Sequence, residues 1–430
     1  MRPWLLLLLV AVGISAAAAQ APAAAPDSDL TFVLILSRHG VRSPLLKNEE
    51  MAKYAAEPWP KWEVPESILT PHGRQVMVLM GAYYRAYYTA EGLLSGDPAR
   101  DAARIFFRSN ASQRTIVTAQ ALGEGLAPGR TVVVHALPMS TLPNEYSGDP
   151  LLDPDTALKH SDSALRQASL LGRIGGDHRM LIEDYRPALD ALERVLLGGD
   201  GTPPPGKVSI LDLPPNYELW ATAQRVVDAM TLAYADGKPL AEVGWGRLPP
   251  QVMTQLMSLS SLGFDLNWRT PYRARATASN LAEHIVDTLE QAAQGRPVEG
   301  ALGSPGNRLA IVVGHDSNLI PLGGLLDVAW RVPGASFNPV LPGGALVFEL
   351  RRLRADGRFV VRTRYVAPTL AQSRAAVPLT LENPPAEAAI FVPGCSLATP
   401  GYDAPLEAFA AHVRAAIDPK LIRPEPPAVR

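Results

Sequence analysis

Two apolar runs far apart in the chain, residues 32–36 and 308–314, each lead to a histidine, and together they constrain the fold more than any other feature. The second, Leu309-Ala310-Ile311-Val312-Val313-Gly314 after Arg308, is a near-continuous apolar strand of the kind that parallel sheets bury on both faces. It is followed at once by His315-Asp316-Ser317-Asn318-Leu319. The first run ends in Ser37-Arg38-His39-Gly40-Val41-Arg42-Ser43-Pro44 and reads as a buried strand bounded by turn-forming residues. In open α/β sheets ligands bind outside the carboxyl edges of the strands. Two strand-end histidines can therefore face one crevice.

The stretch around His39 has a chemistry of its own. Guanidiniums are always charged and fork-shaped, which suits Arg38 and Arg42 to an oxyanion such as phosphate. Positive neighbours oppose protonation of His39 and favour its neutral, nucleophilic imidazole. Gly40 removes a side chain where a ligand approaches the backbone. A surface turn with incidental basic residues is the plain alternative for so short a motif.

At 430 residues the chain has ample material for a core, and 47% hydrophobic with 19% charged residues marks an ordinary globular protein. The formal charge of -2 supplies no global field for nucleic acid, so an anion site has to be local. Residues 1–22 read as a signal peptide: Arg2 opens it, residues 4–12 form the apolar segment, and residues 16–20 are small. The apolar stretch is short for a membrane anchor. An Ala/Pro-rich leader then runs to about Asp27. Export places the mature chain in the periplasm or outside the cell, without membrane contact. Cys395 is the single cysteine, so no internal disulfide is expected; it reads as structural.

Taken in order, residues 45–60 read as a loop, with Trp59 and Trp62 either lining a pocket or packing. Thr70-Pro71 starts a helix that carries an apolar face to about Ala90, with His72 and Arg74 in its solvated first turn. Residues 103–107 form a second strand, and Arg114 falls close to the start of a helix over 116–126. A cation is disfavoured at that end of a helix unless an anion shares the site. Asn110-Ala111-Ser112 matches a glycosylation triplet that is common by chance. A third strand covers 131–135. Between 137 and 298 helical periodicity dominates, clearest at 221–235 and 276–294, with a possible short strand at 208–211. His160, His178 and His284 lie there without metal-ligand spacing and read as structural. Strands at 345–350 and 358–365 and a helix at 406–416 follow. The expectation is an α/β fold: a mostly parallel central sheet flanked by helices, built from 27–136 and 299–430, with a mainly helical inserted domain over 137–298.

Three arginines and a histidine can neutralise a phosphoryl group and its transition-state charge. His39 can attack phosphorus, forming and then losing a phosphohistidine. Asp316 can protonate the leaving oxygen and then activate water. No dense Asp/His cluster and no Walker loop is present, which disfavours two-metal and P-loop chemistry.

These residues resemble the histidine acid phosphatases, the secreted branch of the histidine phosphatase superfamily (branch 2), and within it the bacterial phytase and glucose-1-phosphatase group. The resemblance rests on Arg38-His39-Gly40-Val41-Arg42-Ser43-Pro44, on Gly314-His315-Asp316, and on Gln113-Arg114-Thr115 between them. It extends to Trp59-Pro60-Lys61-Trp62, Leu69-Thr70-Pro71-His72-Gly73 and Pro342-Gly343-Gly344. It implies that His39 is the nucleophile, that Asp316 is the proton donor, and that Arg38, Arg42, Arg114 and His315 hold the phosphate. It implies neither a metal nor an organic cofactor. Leu45, Leu46 and Lys47 are candidates for the substrate rim. Phytases of the group often carry a basic side chain soon after the first motif, so an apolar Leu45-Leu46 suits a sugar monophosphate better than a polyphosphate; the Ser317 form is also like the glucose-1-phosphatase branch. The expected enzyme is a monomer acting on a small phosphomonoester, phytate or a sugar phosphate. Two alternatives remain open: a phosphoglycerate mutase-like transferase, and a non-catalytic periplasmic phosphate-ester binding protein.

Overall fold

The structure is a computed structural model that describes residues 27–138, 148–153, 158–159 and 161–424. The expected signal peptide at 1–22, most of the expected leader and His160 lie outside these residues. Helices of ten residues or more are numbered here in chain order with the strands. They run β1 (Ser28–Arg38), α1 (Pro71–Ala90), β2 (Ile105–Ser109), α2 (Gln113–Leu126) and β3 (Val134–His135), then α3 (Ser163–Arg173), α4 (Arg179–Leu197), α5 (Tyr217–Ala235), α6 (Pro250–Trp268) and α7 (Pro271–Gln294). After them come β4 (Leu309–Gly314), α8 (Asp316–Leu325), β5 (Ala345–Leu353), β6 (Phe359–Ala367), β7 (Ala386–Ile390), β8 (Ala404–Pro405) and α9 (Leu406–Ala416).

The strands form one sheet in the order β3-β2-β4-β1-β5-β6-β7, with β8 also on β6. The α/β class and the flanking helices are those expected, but the sheet is mixed. Parallel pairing joins β3, β2, β4 and β1, whereas β5, β6, β7 and β8 pair antiparallel. For β5 and β6 the reason is connection length. The β5–β6 link is a tight turn closed by the Leu353 N–H to the Arg358 carbonyl, at 2.8 Å, and so short a link permits only a hairpin. β7, of sequence Ala-Glu-Ala-Ala-Ile, lacks a strand signature and forms as the edge partner of β6.

Alternation along β1 divides the core. Phe32, Leu34 and Leu36 belong to one apolar cluster, with Val312, Phe348 and residues of α4 through α7; Val33 and Ile35 belong to another, with Ile311, Val313, Val347 and residues of α1 and α2. The helices between β3 and β4 thus share a continuous core with one face of the sheet. Leu34 and Ile35 are wholly inaccessible, and truncating either to alanine costs about 2–5 kcal/mol.

Thr70 caps α1 by accepting from Gly73 N–H at 2.8 Å, with Pro71 in the first turn, as the sequence predicts. The possible strand at 208–211 is absent: Ile210–Asp212 is a short 3₁₀ turn whose backbone N–H groups are drawn to the buried Glu193 carboxylate. Within 45–60, Asn48–Met51 is a helical turn rather than plain loop. Cys395 is buried, its thiol pushed up to about 11 by desolvation. No helix among the described residues is long and apolar enough to cross a membrane.

Candidate active site

Register brings the site together. Arg38 of β1 stands opposite Gly314 of β4, and Ser109 of β2 opposite Val313, so the three parallel strands end level. The next residue of each, His39, Asn110 and His315, leaves the sheet at one edge. His39 N–H donates to the Gly314 carbonyl and Asn110 N–H to the Val313 carbonyl, both at 3.0 Å. The ring centroids of His39 and His315 lie 5.5 Å apart, edge to face.

His39 Nδ1 is 2.8 Å from the Gly40 carbonyl oxygen. A carbonyl only accepts, so Nδ1 carries the proton and Nε2 keeps its lone pair. The ring is held well below the ordinary histidine pKa, first by burial and then by Arg114, Arg38, Arg42 and His315. His315 is lowered in the same way, by burial and then Arg114, Arg42 and Arg38. Gly40 has a different reason from the one its position suggests. A Cβ there would stand 2.7 Å from Met77 Cγ and 3.1 Å from the Gly73 carbonyl, so glycine lets α1 approach the strand end.

Arg38 and Arg42 are buried, and one carboxylate lies between them. Asp228 of α5 sets Oδ1 at 3.3 Å from Arg38 Nη2 and Oδ2 at 3.2 Å from Arg42 Nη2. Arg38 also donates to the Val340 carbonyl at 2.6 Å and pairs with Asp316 Oδ2 at 3.0 Å. The Nε–H groups of Arg38 and Arg42 are buried without a partner among the described residues. Such donors are costly to leave unsatisfied, and oxygens of a bound anion would satisfy them.

Arg114 is the second residue of α2, which begins at Gln113, three residues before the sequence-based start; its Nη1 reaches the Ser67 carbonyl at 3.4 Å. Asp316 opens α8, its Oδ1 accepting from Ser317 N–H at 2.8 Å. A cleft of about 180 Å³ is lined by His39, Arg42, Arg114, His315, Asp316 and Asp228, with Leu45 among its other walls. Arg38 joins this group through its two carboxylate partners rather than as a wall.

The rim candidates separate. Leu45 is exposed and lines the cleft; Leu46 turns into a neighbouring groove beside Trp62; Lys47 is exposed and precedes the short helix Asn48–Met51. Trp59 packs edge to face on Trp245 at 5.2 Å, and Lys238 sits over the Trp62 ring at 4.4 Å. His72 bonds the Ser373 carbonyl at 2.7 Å, and Arg74 pairs with Glu124. Neither lines the cleft. His178 is buried, and His284 contacts the carbonyls of Gly300 and Arg423.

Two residues at the site are not assigned to it by the sequence. Asp228 had a usable signal: a lone carboxylate inside the otherwise buried run Val226, Val227, Ala229, Met230. Asn110 was visible only as a chance glycosylation triplet. It is 4% exposed, and its Oδ1 lies 3.2 Å from His315 Nε2, so it serves the site's interior and is no glycan acceptor. Its Nδ2 is buried without a partner among the described residues.

Comparison with known proteins gives a consistent answer. The histidine phosphatase superfamily (branch 2) model matches residues 29–179. The chain is 31% identical over 389 residues to phytase AppA of Escherichia coli (strain K12), covering 86% of this chain and 88% of the relative. It is 29% identical over 397 residues to a glucose-1-phosphatase of Salmonella typhimurium, covering 88% and 90%. Among solved structures, the phytase from Citrobacter braakii superposes with a TM-score of 0.79 at 29% identity, covering 92% of this chain and 99% of that one.

Proposed function

The chain belongs to the histidine phosphatase superfamily, branch 2, and from that membership and the cleft geometry we propose that it is an exported acid phosphatase that hydrolyses phosphomonoesters through a phosphohistidine on His39. The observation that carries the mechanism is the Nδ1–H of His39 spent on the Gly40 carbonyl, which leaves Nε2 unprotonated among three guanidiniums.

Arg38, Arg42, Arg114 and His315 hold the phosphoryl oxygens. Nε2 attacks phosphorus in line, the P–O ester bond breaks, and the departing oxygen takes the proton of Asp316. Water then attacks phosphorus, the P–N bond breaks, and the Asp316 carboxylate takes the water's proton. Charge favours this order. With a proton on Asp316, three guanidiniums face one carboxylate, Asp228, and the surplus matches a phosphate dianion. No step calls on a metal, and no group of three or more His, Cys, Asp or Glu fit to hold one occurs among the described residues.

Phytate and sugar phosphates such as glucose-1-phosphate are the substrates we propose, since relatives named phytase and glucose-1-phosphatase resemble the chain along most of its length. Replacing His39 with alanine should abolish both phosphate release and the trapping of a phosphoenzyme. A variant that retains full turnover would sink the assignment.

A further inference from the structure

The phosphate cradle occupies one end of the cleft, and the remainder carries a charge with no counterpart. Along α5 the lining residues Tyr217, Ala221, Gln224, Arg225 and Asp228 recur at helical spacing, so this helix forms one wall from the cradle outward. Arg225 lies three residues before Asp228, about one turn or ~5 Å along the axis. It is exposed, and among the described residues it has no ion pair or hydrogen bond. The two carboxylates that line the cleft, Asp228 and Asp316, are both engaged by Arg38, and Asp228 by Arg42 as well.

The walls around Arg225 reinforce the point. Across from α5, Asn267 and Trp268 at the end of α6 line the same space. Arg273 stacks over the Trp268 ring at 4.3 Å, adding a second cation close by. Tyr217 feels both arginines: burial raises its hydroxyl, while Arg273 and Arg225 pull in the opposite sense. Gln224 and Asn267 offer amide hydrogen bonds.

We propose that Arg225, backed by Arg273 on Trp268 and flanked by Gln224 and Asn267, forms a second anion subsite that selects substrates carrying another phosphate close to the one being cleaved. The inference rests on the phosphomonoesterase reading and narrows it. It also sets the α5 wall against the apolar Leu45 rim, from which a monophosphate was the better fit. One helical turn is of the order of the separation between phosphates on adjoining ring carbons. A charge-assisted contact to such a group orients the ring and favours its binding.

The test compares phytate with 4-nitrophenyl phosphate, which has no second anion, in the wild-type enzyme, Arg225→Gln and Arg225→Lys. The subsite predicts that Arg225→Gln lowers kcat/KM for phytate roughly 10- to 100-fold, the range of a lost charge-assisted hydrogen bond. The ratio to 4-nitrophenyl phosphate should fall by nearly as much, and lysine should restore part of it. The inhibition constant of myo-inositol hexakis sulphate against 4-nitrophenyl phosphate turnover should rise in parallel. A phytate to 4-nitrophenyl phosphate ratio that stays at the wild-type value in Arg225→Gln overturns the subsite. Absence of phosphate release from both substrates in the wild-type enzyme overturns the phosphatase reading instead.

Discussion

Asp228 Oδ2 stands 3.2 Å from Arg42 Nη2, a contact that ties α5 to the end of the first strand. Its other oxygen reaches Arg38, so a single carboxylate orders two buried cations before any substrate arrives. Removing it leaves two like charges facing each other. Asp228→Ala should destabilise the protein by about 1–3 kcal/mol, less than a fully buried pair because the Asp228 side chain is 17% exposed. Inorganic phosphate should restore most of the loss, because it supplies the missing negative charge. Thermal melts with and without phosphate test this, and a deficit that phosphate leaves untouched would contradict it.

The depressed pKa of His39 makes a separate prediction. Burial, then Arg114, Arg38, Arg42 and His315, disfavour the imidazolium. His39 should therefore remain neutral as the pH falls through the ordinary histidine value of about 6.5, keeping a nucleophile available in acid. Because the folded chain then binds fewer protons than the unfolded one below that pH, this histidine and His315 contribute stability above pH ~6.5 that is lost on acidification. Imidazole NMR of the ligand-free enzyme reads the titration directly, and a midpoint near 6.5 for His39 would refute it.

Asp316 carries the leaving-group prediction. A proton donor matters most when the departing alkoxide is basic, so Asp316→Asn should lower turnover of an alkyl phosphate by about 10²–10⁴-fold. An aryl phosphate, whose phenolate leaves readily, should lose far less in the phosphorylation step. Comparing burst rates for the two ester classes separates this role from simple damage to the pairing with Arg38. Equal losses for both classes would remove Asp316 from the donor role.

The legible part of this protein was what adjacency in sequence determines. β1, β4 and the strand-end motifs could be read because an apolar run and its terminal histidine are neighbours in the chain, and the family follows from them. Arg114 could be placed at a helix start, although α2 begins earlier than its apolar face suggests. Asp228 stood out only as a lone carboxylate in a buried helical run; its role at the site depends on how α5 docks against the strand ends, which is a long-range fact. Asn110 was hidden for the same reason: its partner, His315, is 205 residues away and arrives only through the β2–β4 register. The antiparallel half of the sheet was obscured because buried strands read alike whichever way they run.

Away from the cleft, α7 presents Glu283, Asp287 and Glu290 to Arg414 of α9, at 2.8, 3.0 and 2.8 Å. Three carboxylates share one guanidinium, and Asp287 is pushed up to about 6, first by burial and then by Glu283. A carboxyl raised in the folded state from 3.8 makes the folded chain bind more protons than the unfolded one. Its contribution is therefore full below pH ~4 and is lost as the pH rises through about 6. Asp287→Asn removes the penalty while Glu283 and Glu290 still hold Arg414. The variant should be more stable than wild type at pH 7 by about 1 kcal/mol, a discounted figure because the site is partly solvated, corresponding to roughly 1–3 °C in Tm. The gap should close as the pH is lowered to 4. Thermal melts of both proteins from pH 4 to 8 decide it: a difference that persists or widens in acid would place the strain elsewhere in the α7–α9 contact.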